Sequence, residues 1–366
     1  MSQVSSPNKK IRVLIVDDSA VIRRIISSTL QKCDDIEIVG TAANGILAIE
    51  FLKANKADVV TLDVEMPEMD GITALKEIRI FEPDLPIVMF SSLTQRGADA
   101  TIQALISGAS DYVSKPAGVG DINAAIQVLE EILIPKIRNL AARGAKKVRL
   151  SEHSVSVNQI LSKDSSSLRP ARSNQKIDAI CIGISTGGPA ALMYLFEAIK
   201  TPLPLPIFIV QHMPPKFTEI LANRLSDIGA TPVEEPYEGQ EAIAGRAYIA
   251  PGGRHMALQR IGSKVVMSIN DDPPENSCKP AADVLFRSAA QVYGSKLLAV
   301  VLTGMGNDGL NGSEEVIEHE GSVIAQDEES SIVWGMPGSV VKANLVEKVL
   351  SLNEVPAELI RRSAVK

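Results

Sequence analysis

Apolar positions along this chain come in short runs separated by longer stretches with helical spacing. In the first half the runs Ile11–Val16, Ile36–Thr41, Val59–Leu62, Pro86–Phe90 and Asp111–Ser114 are too short for a typical helix and long enough for a buried strand. Between them lie segments of helical period. Ala20–Lys32 carries Val21, Ile25, Ile26 and Leu30 on one stripe, and further helices are expected over Gly45–Lys53, Ile72–Ile80, Gly97–Ser107 and Asp121–Leu140. Strand and helix alternating in this way specify an α/β domain, a doubly wound five-stranded parallel sheet of the flavodoxin-like kind.

The second half repeats the rhythm less regularly. Ala179–Ile184, Ile207–Gln211, Leu297–Thr303 and Ser322–Ala325 read as strands, with further strand character at Tyr248-Ile249 and Val265–Ile269. Helical segments follow Pro189 and cover Phe217–Leu225, Ala281–Tyr293 and Ser313–His319. A second doubly wound, mostly parallel α/β domain follows. From Ala141 to Gln175 the periodicity fades into Ser165-Ser166-Ser167 and scattered Lys146, Lys147, Arg149, Lys163, Arg169 and Arg172, a mildly basic flexible tether that has room for a short docking helix at Val155–Leu161. The expected division is therefore a domain over residues 1–140, a linker over 141–175 and a second domain over 176–366.

Composition narrows the class. Three hundred and sixty-six residues suffice for two domains with separate cores, and 45% hydrophobic with 22% charged residues is ordinary for a soluble globular protein. A net charge of −7 argues against a nucleic-acid surface. Cys33, Cys181 and Cys278 are too scattered for a disulfide framework or a metal-type pair. MSQVSSPNKK lacks a signal-peptide core and no apolar run approaches a membrane span, so a cytoplasmic protein without membrane insertion is expected.

Chemistry gathers where the strands stop. In open parallel sheets, reactive groups collect outside the carboxyl ends of strands. In the first domain Asp17, Asp18 and Asp63 converge on one edge, with Ser91 and Lys115 beside them. Three close carboxylates repel unless a cation joins them, and oxygen ligands suit Mg²⁺. A carboxylate neutralised in this way can accept a phosphoryl group, whose oxygens Lys115 and Ser91 would hold.

In the second domain, Gly183-Ile184-Ser185-Thr186-Gly187 fits G-x-S-x-G and leads through Gly188-Pro189 into a helix, so a serine hydroxyl is expected at a tight turn. His212 follows the next strand and Asp308 lies just beyond Leu297–Thr303. The three can meet as nucleophile, base and orienting carboxylate, with oxyanion donors from backbone N–H groups near Thr186 and within Gly304–Gly306. The chain order Ser, His, Asp differs from that of α/β-hydrolases, so the motif does not imply that fold. His153 and His319 read as surface residues. His255 takes a structural or substrate-contact role, and Trp334 defaults to core packing.

Residues 11 to about 130 resemble a response-regulator receiver domain, through Asp17-Asp18, Asp63, Met66-Pro67 with Asp70-Gly71, Ser91, Tyr112 and Lys115-Pro116. The resemblance implies phosphorylation of Asp63 by a histidine kinase and Mg²⁺ held by Asp18, Asp63 and the Glu65 carbonyl. It also implies a cis Lys115-Pro116 bond, and a switch read out through Ser91 and Tyr112. Residues 176 to about 355 resemble the catalytic domain of the chemotaxis protein-glutamate methylesterases, the CheB family. The motifs are IGISTGGP, QHMPPKFT, YIAPGGRHM, DVLFRSAA, LTGMGNDG and GMPGSV. That resemblance implies hydrolysis of glutamate γ-methyl esters, and deamidation of glutamines, on methyl-accepting chemotaxis receptors. It places the Met305 N–H in the oxyanion hole alongside Thr186, and implies no cofactor in the catalytic domain. The chain departs from the family pattern at Cys278-Lys279-Pro280-Ala281, where His-Arg-Pro-Ser is expected, and at Lys216 in place of Gly.

Two other readings compete. Gly304-Met305-Gly306-Asn307-Asp308-Gly309 also fits the G-x-G-x-x-G of a dinucleotide site, with Asp327 near the position of a ribose-binding acid, although Asp308 would face the pyrophosphate. The second is a non-catalytic signalling module under receiver control. If the enzymatic reading holds, the unphosphorylated receiver is expected to cover the cleft at Ser185, and phosphorylation of Asp63 to open it.

Overall fold

The computed structural model describes residues 10–92, 94–115, 126–127, 129–142, 168–169 and 175–364, and the chain divides into two compact units, Met1–Val155 and Ser156–Lys366. The expected helix at Val155–Leu161, His153 and Pro116 lie outside the described residues.

In the first unit the strands β1 (Ile11–Val16), β2 (Ile36–Ala42), β3 (Val59–Asp63), β4 (Ile87–Ser91) and β5 (Asp111–Ser114) form one parallel sheet in the order β2-β1-β3-β4-β5. Every residue of β3 and β4 is buried, which is why those runs carry no polar alternation. The helices Ala20–Leu30, Gly45–Ala54, Gly71–Phe81 and Gln95–Ile106 all begin on a side-chain cap. Ser19, Asn44, Asp70 and Thr94 each accept a hydrogen bond from an N–H of the first turn. The last expected helix differs from a plain α-helix in its described part: Leu129–Leu133 is a π-helical turn, and residues 134–142 are α-helical.

Among the described residues the second unit has nine strands: β6 (Ala179–Ile184), β7 (Ile207–Gln211), β8 (Val233–Glu234), β9 (Ala247–Ile249), β10 (His255–Ile261), β11 (Lys264–Asn270), β12 (Leu297–Val301), β13 (Ser322–Gln326) and β14 (Lys348–Leu350). Seven make a parallel sheet in the order β14-β13-β12-β6-β7-β9-β8. The expected strand at Val265–Ile269 belongs instead to an antiparallel hairpin, β10-β11, outside that sheet. All six residues of β6 are buried. Full burial of an aliphatic side chain contributes roughly 1.5–3 kcal/mol, so β6 anchors the middle of the sheet. Its neighbours are β12 on one side and β7 on the other, and these are the three strands that lead to Asp308, Ser185 and His212.

Helix starts here contrast with those of the first unit. The helices Gly188–Ala198, Phe217–Ile228, Ala282–Tyr293 and Leu310–Glu318 begin on Gly187, Lys216, Ala281 and Gly309, with no side-chain cap bond. Their first-turn N–H groups are thus left for other partners. Lys216 holds a φ of 73°, a left-handed conformation that suits glycine. Lys216→Gly should therefore stabilise this unit by several tenths to about 1 kcal/mol in urea unfolding, and an unchanged or lower midpoint would contradict the strain.

Candidate active site

Ser185 is the first residue past β6 and His212 the first past β7. The register pairs Ile184 with Gln211, and the His212 N–H donates to Ile184 O at 3.2 Å, so the two follow side by side. On its other flank Ser185 N–H donates to Thr303 O at 3.0 Å, and its carbonyl accepts from Gly188 N and Gln211 Nε2. Ser185 is thus fixed by its main chain, and its hydroxyl makes no hydrogen bond among the described residues. The turn beyond it needs glycine: Gly187 has a φ of 78°, and a Cβ there would lie 2.5 Å from Ile332. Gly304 faces Ser185 across the turn, where a Cβ would stand 2.9 Å from Ser185 Cβ and overlap Met336 Sδ.

Asp308 is buried and accepts from five donors. His212 Nε2 lies 2.7 Å from Oδ2, Ala282 N donates to Oδ2 at 2.6 Å, and Oδ1 receives Asp283 N at 3.0 Å, Gly309 N at 3.1 Å and Asn276 Nδ2 at 3.2 Å. The uncapped start of Ala282–Tyr293 therefore finds its anion in a residue from a distant loop. Burial works to raise the Asp308 pKa, but His212 and the two helix N–H groups outweigh it and hold the carboxyl below its usual range. Asp283 repeats the device, accepting from Gly312 N at the start of Leu310–Glu318 and from Asn276 Nδ2. Burial and the nearby Asp308 charge push its pKa up to about 6.

The second ring nitrogen, Nδ1, has Cys278 Sγ at 3.5 Å. Burial disfavours the charged imidazole, yet Asp308 and Cys278 together push the His212 pKa up to about 9. Cys278 reaches the ring from a loop in which Asn276 and Ser277 take positive φ, and which the Glu275–Arg287 ion pair at 2.7 Å ties to the following helix. Neither Cys278 nor Asn276 was foreseen as a neighbour of the histidine.

The oxyanion donors expected from the resemblance fall on either side of Ser185. Thr186 is buried and its carbonyl accepts from Thr303 Oγ1 at 2.9 Å. The loop after β12 is pinned at Gly304, which bonds to Val333, Gly335 and Met336, and the N–H of the half-buried Met305 takes no part in that network. His255 is fully buried: Nε2 lies 3.1 Å from Pro273 O and Nδ1 accepts from Ala281 N at 3.2 Å, so its role is to hold the segment after Cys278. Trp334 is half-buried rather than a core residue, with Nε1 donating to Gln326 O at 2.9 Å. His319 is partly exposed beside Glu315.

The dinucleotide reading finds its seat taken. The N–H of Gly312, where a pyrophosphate would sit, is bound by Asp283, and Asp308 adds a second carboxylate. Asp327 accepts from Ser330 N and Oγ.

In the first unit Lys115 Nζ stands 2.6 Å from Asp63 Oδ2 and 3.0 Å from Asp17 Oδ2. Carboxylate oxygens of Asp17, Asp18 and Asp63 all lie within 4.8 Å of one another, and a pocket lined by Asp18, Asp63, Glu65, Ser91 and Lys115 opens above them. Burial, then the charge of Asp17, pushes the Asp63 pKa up to about 6 against the pull of Lys115. Hard oxygen donors around an excess of negative charge fit Mg²⁺. The buried Ser91 hydroxyl donates to Gly97 O at 2.9 Å. Tyr112 is buried at the end of the sheet, with Lys136 Nζ 5.4 Å from its ring centre.

A sheet with a buried aspartate beside a lysine, followed by a unit that sets a serine at a strand end next to a histidine bonded to aspartate, is the architecture of a response regulator with an enzymatic output. Residues 13–127 match the response regulator receiver domain, and residues 180–359 match the CheB methylesterase family. The chain belongs to the CheB family of protein-glutamate methylesterases with an N-terminal receiver. A protein-glutamate methylesterase/protein-glutamine glutaminase of Trichodesmium erythraeum is 46% identical over 96% of this chain and 99% of its own length. One from a Nocardioides species is 44% identical over 97% and 96%. The crystal structure of the Thermotoga maritima CheB methylesterase catalytic domain is 40% identical, covers 51% of this chain and 98% of its own, and superposes with a TM-score of 0.49.

Proposed function

We propose that this chain is a phosphorylation-controlled serine esterase and amidase that hydrolyses glutamate γ-methyl esters, and deamidates glutamines, on methyl-accepting chemotaxis receptors. In this reading residues 1–140 are the receiver, 141–175 the tether and 176–366 the catalytic domain, working in the cytoplasm. The observation that supports it is the placement of Ser185 and His212 side by side at the ends of adjacent strands, with His212 Nε2 2.7 Å from the buried Asp308 carboxylate.

Asp308 takes Nε2–H, which leaves Nδ1 as the base. As Ser185 Oγ attacks the ester carbonyl carbon, Nδ1 accepts its proton, and the Thr186 and Met305 N–H groups receive the oxyanion. The proton then passes to the departing methoxide and methanol leaves. Water, deprotonated by the same nitrogen, frees the glutamate from Ser185. For a glutamine the leaving group is ammonia.

The base must be neutral to act. Because the His212 pKa is raised to about 9, the active form is lost as pH falls and the rate should climb with pH toward that value. Cys278→Ala removes one of the two neighbours that raise it, so the midpoint of the kcat/KM profile should move to lower pH. An unmoved midpoint would contradict this assignment.

In the receiver, Asp63 accepts the phosphoryl group from a histidine kinase. Asp18, Asp63 and the Glu65 carbonyl would hold Mg²⁺, which when bound offsets the carboxylate charge. Lys115 meets a phosphoryl oxygen, and the Ser91 hydroxyl turns from Gly97 toward it while Tyr112 responds. The unphosphorylated receiver restrains hydrolysis at Ser185. The deciding assay is methanol release from methylated receptor. A small-molecule phosphodonor should stimulate the wild type several-fold and leave Asp63→Asn unstimulated, and removal of residues 1–140 should raise the basal rate. Equal stimulation of both proteins would overturn the role of Asp63.

A further inference from the structure

Besides the triad contact, the His212 ring touches a sulfur. We propose that His212 Nδ1 and Cys278 Sγ form a binding site for a thiophilic divalent metal, zinc above all, and that occupation of this site shuts off hydrolysis. The two atoms are 3.5 Å apart. Zinc bonds to thiolate sulfur at about 2.3 Å and to imidazole nitrogen at about 2.0–2.1 Å, and a tetrahedral angle between those bonds sets sulfur and nitrogen about 3.5 Å apart. The ligand pair is thus spaced for the ion before it arrives.

The surroundings supply what such a site needs. A metal-bound histidine ordinarily directs its other ring N–H to a carboxylate, and His212 Nε2 stands 2.7 Å from Asp308. Four further N–H donors hold Asp308, so the ring is already oriented. Asp308 therefore acts as a positioning residue, not as a ligand on the Nδ1 side. Cys278 and His212 are both partly exposed, so an ion can reach them and water would complete its coordination. Binding transfers the thiol proton to solvent and occupies the Nδ1 lone pair. Cys181, by contrast, is enclosed within β6 and offers no such access. The carboxylate set around Asp63 has no sulfur and suits harder cations.

Metal binding follows from this geometry alone, whereas the inhibition rests on the reading of His212 as the base. The test uses the full chain stripped of metal and titrated with Co²⁺ as an optical probe and with Zn²⁺. Wild type should show a thiolate-to-cobalt charge-transfer band that Zn²⁺ displaces, with methyl-ester hydrolysis falling in step and recovering on addition of a chelator. Cys278→Ser should lack the band. Relative to its own metal-free rate it should need at least about tenfold more Zn²⁺ for half-inhibition. A missing band in wild type, a band that persists in Cys278→Ser, or equal Zn²⁺ sensitivity of the two proteins would overturn the site. Cobalt bound through the thiolate with hydrolysis undiminished would overturn the inhibitory role, whereas the reading of His212 as base is tested separately, by loss of metal-free hydrolysis in His212→Ala.

Discussion

Ser185→Ala should lower methyl-ester hydrolysis by roughly 10⁴–10⁶-fold, the range seen when a serine nucleophile is removed from an assembled catalytic unit. The fold should survive, because the bonds that fix residue 185 run through its main chain to Thr303, Gly188 and Gln211 and do not involve the hydroxyl. A residual rate above the uncatalysed one is expected from oxyanion donors and binding alone. Methanol release measured beside thermal unfolding separates the two effects. An unchanged Tm with unchanged demethylation and signalling would favour the view of this unit as a non-catalytic module that acts by contact.

Asp308→Asn should do comparable damage for a different reason. Oδ2 accepts from both His212 Nε2 and Ala282 N, while Oδ1 accepts from Asp283, Gly309 and Asn276. A side-chain NH₂ on either side meets donors rather than acceptors. Turned toward His212 it would reverse the tautomer and put Nδ1–H where a lone pair must take the serine proton, a change that costs about 10⁴-fold in comparable triads. Turned away, it would strand the Asp283 N–H at the start of Ala282–Tyr293 and the Gly309 N–H, and each buried unsatisfied donor costs about 1–3 kcal/mol. Hydrolysis and the urea midpoint should therefore fall together, whereas Ser185→Ala moves hydrolysis alone. If Asp308→Asn kept wild-type kcat, the orientation of His212 would not depend on this carboxylate.

The strand-end residues were legible in the sequence because β6, β7 and β12 are continuous apolar runs, and the polar residue that stops each one is conspicuous. In a parallel sheet such stops fall on one edge, so Ser185, His212 and the loop to Asp308 could be brought together without knowing the strand order. Asp63 and Lys115 were readable for the same reason. The loop from Asn276 to Ala281 was not readable as part of the site. It has no period, and Cys278 meets His212 across 66 residues of sequence. Asp283 was missed because its task is to accept from a helix N–H group that lacks a local cap, and Asn276 because it donates to the carboxylates of Asp283 and Asp308, demands visible only once helix ends and carboxylates are set in space. Of the structural and substrate-contact roles expected for His255, its two ring nitrogens, both committed to backbone groups, favour the structural one. The hairpin β10-β11 shows the same limit: its apolar positions predicted strands but not which sheet they join.

The central claim is that Ser185 and His212 act as one unit, the imidazole working only through the serine oxygen. Its most direct test compares kcat for methyl-ester hydrolysis in Ser185→Ala, His212→Ala and the double variant, with correct folding verified for each. The double variant should be about as slow as either single one, since removing one member already disables the other. Losses that multiply in the double variant would mean that the two side chains contribute independently, and the catalytic unit assigned here would not exist.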